Sequence, residues 1–176
     1  MLAVPVAVKP LLKISADITV QSELTIPCGQ DSGTLSVAFT VENFSHVPAQ
    51  LPFLCLTDLG LNIRPVRNGR MEKLSSDGRR LVRFGLEAPA VLSTGGKTVL
   101  CMLTLSWRGR DPASVSFDRG AGHEVEALRD LRLFCITGAA NFPPERSTLT
   151  ISANRVRSAI AAQSGTIAPF RRLKEA

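Results

Sequence analysis

The sequence predicts an all-β protein: two antiparallel sheets of short strands packed as a sandwich, seven to nine strands in all, with a short C-terminal helix or tail. Three observations carry this. Large apolar residues recur at every second position in several separate runs, which puts them on one face of a strand. Glycine, proline, asparagine and aspartate gather between those runs and supply the turns. No helical pattern alternates with the strands, so a doubly wound parallel sheet lacks its crossovers.

The elements follow in chain order. Met1–Pro10 is apolar, but no basic stretch precedes the apolar part and Pro5 interrupts it, so it is not read as a signal peptide. Ile14, Ala16, Ile18 and Val20 alternate weakly. Leu35, Val37, Phe39 and Val41 alternate strongly, as do Val99, Cys101, Leu103, Leu105 and Trp107. Leu131–Ile136 and Leu149–Ser152 continue the series, and Leu51–Leu56 and Leu81–Leu86 are shorter candidates. These runs are rich in Val, Ile, Thr and Phe, which suit a pleated, half-buried surface. Asn68-Gly69, Asp77-Gly78, Gly95-Gly96 and Asp111-Pro112 mark turns between them. Val156 and Ile160 stand four apart in a stretch of good helix formers that Gly165 and Pro169 close, predicting a short amphipathic helix or a docking tail. The expected division is a sandwich over residues 1–152 and a basic tail over residues 153–176.

The chain of 176 residues carries a formal charge of +6, and the excess is local. Arg64, Arg67, Arg70, Lys73, Arg79, Arg80 and Arg83 face only Glu72 and Asp77. The tail adds Arg155, Arg157, Arg171, Arg172 and Lys174 against Glu175. The first run, broken by Pro65, Gly69 and Gly78, reads as a loop or flexible hairpin of solvated charge. Phosphate contact through Arg64, Arg67, Arg70, Arg79, Arg80, Arg171 and Arg172 is the alternative.

Several chemistries find little support. The four cysteines, Cys28, Cys55, Cys101 and Cys135, form no Cys-x-x-Cys pair, so a zinc ribbon is not expected. Three lie in apolar runs and are expected as buried free thiols. Ser93–Thr98 looks like the end of a phosphate-binding loop, but Val91 stands where the first glycine belongs and a strand follows, so a hairpin turn is expected. His46 and His123 fall in turn-like stretches without a nucleophile or clustered ligands. Asp17 and Asp58 are isolated near strands. With no tyrosine and one tryptophan, a sugar platform has few aromatic rings to use. Asn43-Phe44-Ser45 fits a glycosylation acceptor, relevant only to a secreted chain. No cofactor, metal or small-molecule substrate is inferred, and no membrane span.

Gly33–Asn43, then Val47-Pro48-Ala49 and an apolar strand, resembles the strand–turn–strand of immunoglobulin-like accessory domains. In particular it is similar to the β-domain that follows the DNA-binding Schlafen/AlbA-type module in some bacterial proteins. Leu133–Glu145, with Pro143-Pro144, resembles an element near the end of such domains. Together these segments cover about a third of the chain. The resemblance implies an immunoglobulin-like sandwich. None of the DNA-binding module's residues is present to be carried over.

Mean hydropathy is +0.13, and Leu51–Leu56 and Phe134–Ile136 are apolar on both strand faces. Either the tail or another protein is expected to cover the second face. The expected function is therefore a non-catalytic protein–protein interaction or structural module, assembling with itself or a larger complex through Val156, Ile160, Phe170 and Leu173. Nucleic-acid association through residues 64–83 and the tail is one alternative. A virion or surface structural protein is another. The expected compartment is cytoplasmic, with secreted or virion-associated placement also open.

Overall fold

The computed structural model describes residues 11–25, 30–108, 116–118, 125–127 and 129–164. The strands are β1 (Leu12–Thr25), β2 (Gln30–Asn43), β3 (Ala49–Gln50), β4 (Phe53–Thr57), β5 (Ile63–Pro65), β6 (Gly69–Ser76) and β7 (Arg79–Leu86). There follow β8 (Val91–Leu92), β9 (Lys97–Arg108), β10 (Ser116–Asp118), β11 (Val125–Ala127), β12 (Leu131–Ala139) and β13 (Phe142–Ile151), then helix α1 (Ala153–Ser164). Among the described residues the class is the expected one, all-β and antiparallel with one short C-terminal helix. The longer strands β1, β2, β4, β7, β9, β12 and β13 fall on the runs expected as strands, and β6 lies in the basic run expected as a loop or hairpin. The remaining strands have two or three residues, too few to leave a periodic signal.

One sheet has the order β1-β2-β9-β10-β11, with β5 also pairing β9. A second has the order β13-β12-β4-β7-β6, and β3 pairs with β8 alone. The chain forms two compact units. The first takes in the described residues of Met1–Asp17, Ala38–Leu103 and Arg132–Thr150; the second those of Ile18–Val37, Thr104–Leu131 and Ile151–Ala176. The division falls inside β1, β2 and β9, so each contributes a stretch to both units.

In the first unit the alternating positions turn inward as the period-two pattern requires. Phe39, Val41, Leu54, Leu56, Leu103 and Leu133 are fully buried, and burying each such side chain contributes about 1.5–3 kcal/mol. Cys101 of β9 and Cys135 of β12 belong to different sheets and are both fully buried in this interior. Burial first, then the neighbouring Cys135 thiol, pushes Cys101 far above the ordinary thiol range. Cys55, Cys101 and Cys135 are buried free thiols, as expected; Cys28 lies outside the described residues.

Of the two forms expected for the basic run, loop or hairpin, the structure has the hairpin. The Asp77-Gly78 turn has positive φ at both residues, 53° and 72°, the backbone that a tight two-residue hairpin demands. It joins β6 and β7 in unbroken register from Gly69↔Leu86 to Ser76↔Arg79. Ser93–Thr98 is likewise a turn into β9, with Gly95 at φ 72° and the Gly96 N–H donating to Ser93 O. Pro143 and Pro144 lie in β13, an edge strand where a missing N–H breaks no ladder on the outer side.

In the second unit, Leu35, Val37 and Leu105 are buried, as are Ile151 and the stripe Ala153, Val156 and Ile160 of α1. The helix starts where the Ala153 N–H donates to Asp130 Oδ1 at 2.8 Å, a carboxylate satisfying an otherwise orphaned N-terminal amide. β10 continues the ladder of β9 with Phe117 opposite Trp107.

Candidate interaction surface

Within the first unit, three turns meet at one end of the sandwich: residues 43–51, residues 88–96 and the Ala140-Asn141 turn. Asn43 is the hub, and it is fully buried. Its Nδ2 donates to Val47 O at 2.9 Å and to Leu92 O at 3.1 Å. Its Oδ1 accepts from the Ser45 N–H at 2.9 Å, and the Ser45 hydroxyl lies 2.7 Å from both Asn43 Oδ1 and Val47 O. Its own N–H donates to Gly96 O, and its carbonyl accepts from Gly95 N–H. Every polar group of this asparagine is used inside the fold. The folded chain therefore does not offer Asn43 as a glycosylation acceptor.

Asn141 pins the other side. Its Oδ1 accepts from Gln50 N–H at 2.7 Å and its Nδ2 donates to Pro48 O at 2.9 Å. On this fixed frame the chain exposes apolar side chains. Phe44 and Val47 are each 53% exposed, Val91 66% and Leu51 39%. Leu51 is held at φ 48° by its N–H donating to Ala90 O at 2.8 Å. For a side chain with a Cβ that conformation costs about 1–2 kcal/mol, so the surrounding bonds impose it.

A second feature lies on the outward face of the β13-β12-β4-β7-β6 sheet. The β4–β7 register sets Cys55 opposite Arg83 and Phe53 opposite Gly85, and Ile136 pairs with Cys55 on the other side. The Arg83 guanidinium lies over the Phe53 ring at 4.3 Å, and that of Arg79 over the Phe134 ring at 4.6 Å. Asp77, in the β6–β7 turn, lies 3.5 Å from Arg146 of β13. The second apolar face of β4 and β12, expected to be covered by the tail or another protein, is thus partly covered by arginines of the chain's own hairpin. Sequence reading missed Phe53 and Phe134 as partners of that basic run. They stand far from it along the chain, and only the strand order brings them together.

The sequence-predicted residues separate. Val156 and Ile160 are each 2% exposed, so the folded chain leaves neither free to meet a partner. Phe170, Leu173, Arg171, Arg172 and His123 lie outside the described residues. Arg64 belongs to β5, opposite Met102 of β9, and its Nε donates to Asn62 Oδ1 at 3.1 Å. Arg67 is exposed in the turn before β6. Arg70 of β6 sits 3.8 Å from Glu87, and Arg79 and Arg80 begin β7. Among the described residues, Arg64 belongs to the sheet of β9 and Arg70, Arg79 and Arg80 to that of β7.

The candidate acids serve local structure. Asp17 Oδ2 accepts from the Thr40 hydroxyl at 3.2 Å, and Asp58 Oδ1 from Gly60 N–H at 3.1 Å. His46 is exposed in the 43–51 turn. Among the described residues no three His, Cys, Asp or Glu side chains gather as metal ligands, and no helix is long and apolar enough to cross a membrane.

No protein-family model matches the chain, and no curated protein does. Among solved structures, an uncharacterized protein from Nocardia farcinica, described as an immunoglobulin-like fold, matches with TM-score 0.42 and 9% identity, over 77% of this chain and 96% of that one. A GH20 exo-β-N-acetylglucosaminidase from Vibrio harveyi, an inactive mutant, matches with TM-score 0.37 and 14% identity, over 79% of this chain. The same enzyme in complex with N-acetylglucosamine matches with TM-score 0.35 and 12% identity. The chain spans 17% of the length of the Vibrio enzyme. With scores this low, the fold assignment rests on the strands and their pairings.

Proposed function

We propose that the chain is a non-catalytic protein–protein interaction module that assembles with copies of itself or within a larger complex. One observation carries the reading: Phe44, Val47, Leu51 and Val91 are exposed on a frame locked by Asn43 and Asn141. Apolar groups on a pre-set surface associate without first losing loop entropy. The strained backbone at Leu51 fits this, because strain persists where the surrounding structure over-determines it and gathers at functional positions. An accessory β-domain of the kind the sequence resembles belongs to the same class of module, and so does a virion or surface structural protein.

Light scattering of the Val47→Asp/Val91→Asp double variant, beside the parent chain, tests this. The parent is expected to run as an oligomer, or to hold a co-purifying partner in its native host, and the variant to lose that mass. An unchanged mass and an unchanged set of co-purifying proteins overturn the reading.

A further inference from the structure

We propose that the outward face of the β6–β7 hairpin is a docking surface for an acidic, extended segment of a partner protein, held by Arg79 and Arg83. The inference rests on the reading of the chain as an interaction module, but it centres on a different surface, which shares only Leu51 with the exposed end.

Arg79 and Arg83 alternate onto the same face of β7, and each lies over a phenyl ring, Phe134 and Phe53 respectively. A guanidinium resting over an aromatic ring spends no N–H on it, and those groups can still bind a carboxylate in a two-pronged fashion. The ring beneath holds the head in place, so less side-chain entropy is lost on binding. Both arginines are exposed. Among the described residues neither closes an ion pair, whereas Arg70 has Glu87 and Arg146 has Asp77. Glu72 stands opposite Arg83 in the strand register without coming within ion-pair distance.

The spacing defines the partner. Residues four apart on a strand are roughly 13 Å apart, so an extended segment with acids at positions i and i+4 matches both heads. Beside Arg83 a groove of about 220 Å³ is lined by Leu51, Pro52, Phe53, Leu86 and Ala88, with Arg70 and Glu72 as its charged members; its apolar part suits an apolar residue next to the acid. A polyphosphate chain fits less well. The phenyl rings are already covered, leaving no platform for bases, and Glu72, Asp77 and Glu87 punctuate the positive charge.

The test is fluorescence anisotropy at low salt with a labelled peptide of alternating valine and threonine that carries two glutamates four positions apart. A glutamine version of the peptide and a single-stranded oligonucleotide serve as rival probes. The chain is expected to bind the glutamate peptide, and Arg79→Gln and Arg83→Gln to weaken it about tenfold each. Arg80→Gln removes the same charge from the opposite side of the strand and is expected to change little. Equal binding of the glutamine peptide overturns the proposal. So does tighter binding of the oligonucleotide, equal sensitivity to Arg80→Gln, or no binding at all. Those results leave the light-scattering behaviour of the Val47→Asp/Val91→Asp variant untouched, so the two readings fail separately.

Discussion

Gly138 stands opposite Phe53 in the β12–β4 register, and it makes room for the ring that Arg83 covers. A Cβ added at Gly138 would lie 2.7 Å from Phe53 Cζ and 2.9 Å from Cε1, with the Pro144 backbone 3.3 Å away. The absence of a side chain on β12 thus seats the aromatic ring on β4, which in turn supports the cation on β7.

Gly138→Ala is therefore expected to displace the Phe53 ring and to destabilise the fold by about 1–3 kcal/mol, the usual range for overpacking. Urea denaturation measures it. Phe53→Leu in the same background should recover part of the loss, because the shorter side chain relieves the clash.

Asn43→Ala removes the amide that serves Val47 O, Leu92 O and Ser45 N. Leaving such buried groups without partners costs about 1–3 kcal/mol each where water cannot reach them. A total loss of about 3 kcal/mol is expected, seen as a lower urea midpoint. Asn43→Asp should be worse, since it sets a buried carboxylate oxygen against the Val47 and Leu92 carbonyl oxygens.

Leu51→Asn is expected to raise stability by about 1 kcal/mol, because asparagine tolerates the left-handed backbone better than leucine does. If the exposed end is the contact surface, the same change weakens assembly. Thermal melts and light scattering on one sample read the two effects, and their opposite signs separate a functional strain from an accidental one.

Thr137 carries a buried hydroxyl with no hydrogen-bond partner. Thr137→Val exchanges that hydroxyl for a methyl of nearly the same shape. It is expected to be neutral or to stabilise by about 1 kcal/mol, since no bond is lost and the buried polar group is removed. A thermal melt checks it; a clear loss of stability would mean the hydroxyl is used.

The buried thiols give the fold an alkaline limit. Burial pushes the Cys135 thiol up to about 11 from an ordinary 9.0, with a backbone hydrogen bond at Leu149 pulling the other way. Burial also raises Cys55 and Cys101. A thiol whose folded pKa is raised ionises more readily in the unfolded chain, so its contribution is complete below pH 9 and declines as pH rises toward 11. The urea midpoint should fall over that window, and Cys135→Ser should reduce the slope.

Much of the fold was legible in the sequence because period two leaves a strong mark. Leu35, Val37, Phe39 and Val41, and Cys101, Leu103 and Leu105, are buried as their spacing requires. Asp77-Gly78 was read as a turn and is one, and of the two readings of the arginines around it, loop or flexible hairpin, the hairpin is the one present. A strand that projects its charges from a sheet edge looks like a loop when only composition is read. Val156 and Ile160 were offered as contacts because four-residue spacing marks an apolar stripe without saying what meets it. The exposed end was invisible for the opposite reason: Phe44, Val47 and Val91 have no period, and their exposure depends on bonds from Asn43 and Asn141 to residues distant in the chain.

The two margins of the β13-β12-β4-β7-β6 sheet are not equivalent. On one, whichever of the adjacent Pro143 and Pro144 turns its nitrogen outward has no amide hydrogen to offer an incoming strand. The other, β6, keeps its full complement of backbone donors. A strand approaching from outside would therefore meet a gap in the donor row on the first flank and an unbroken run without proline on the second, next to the stacked cations.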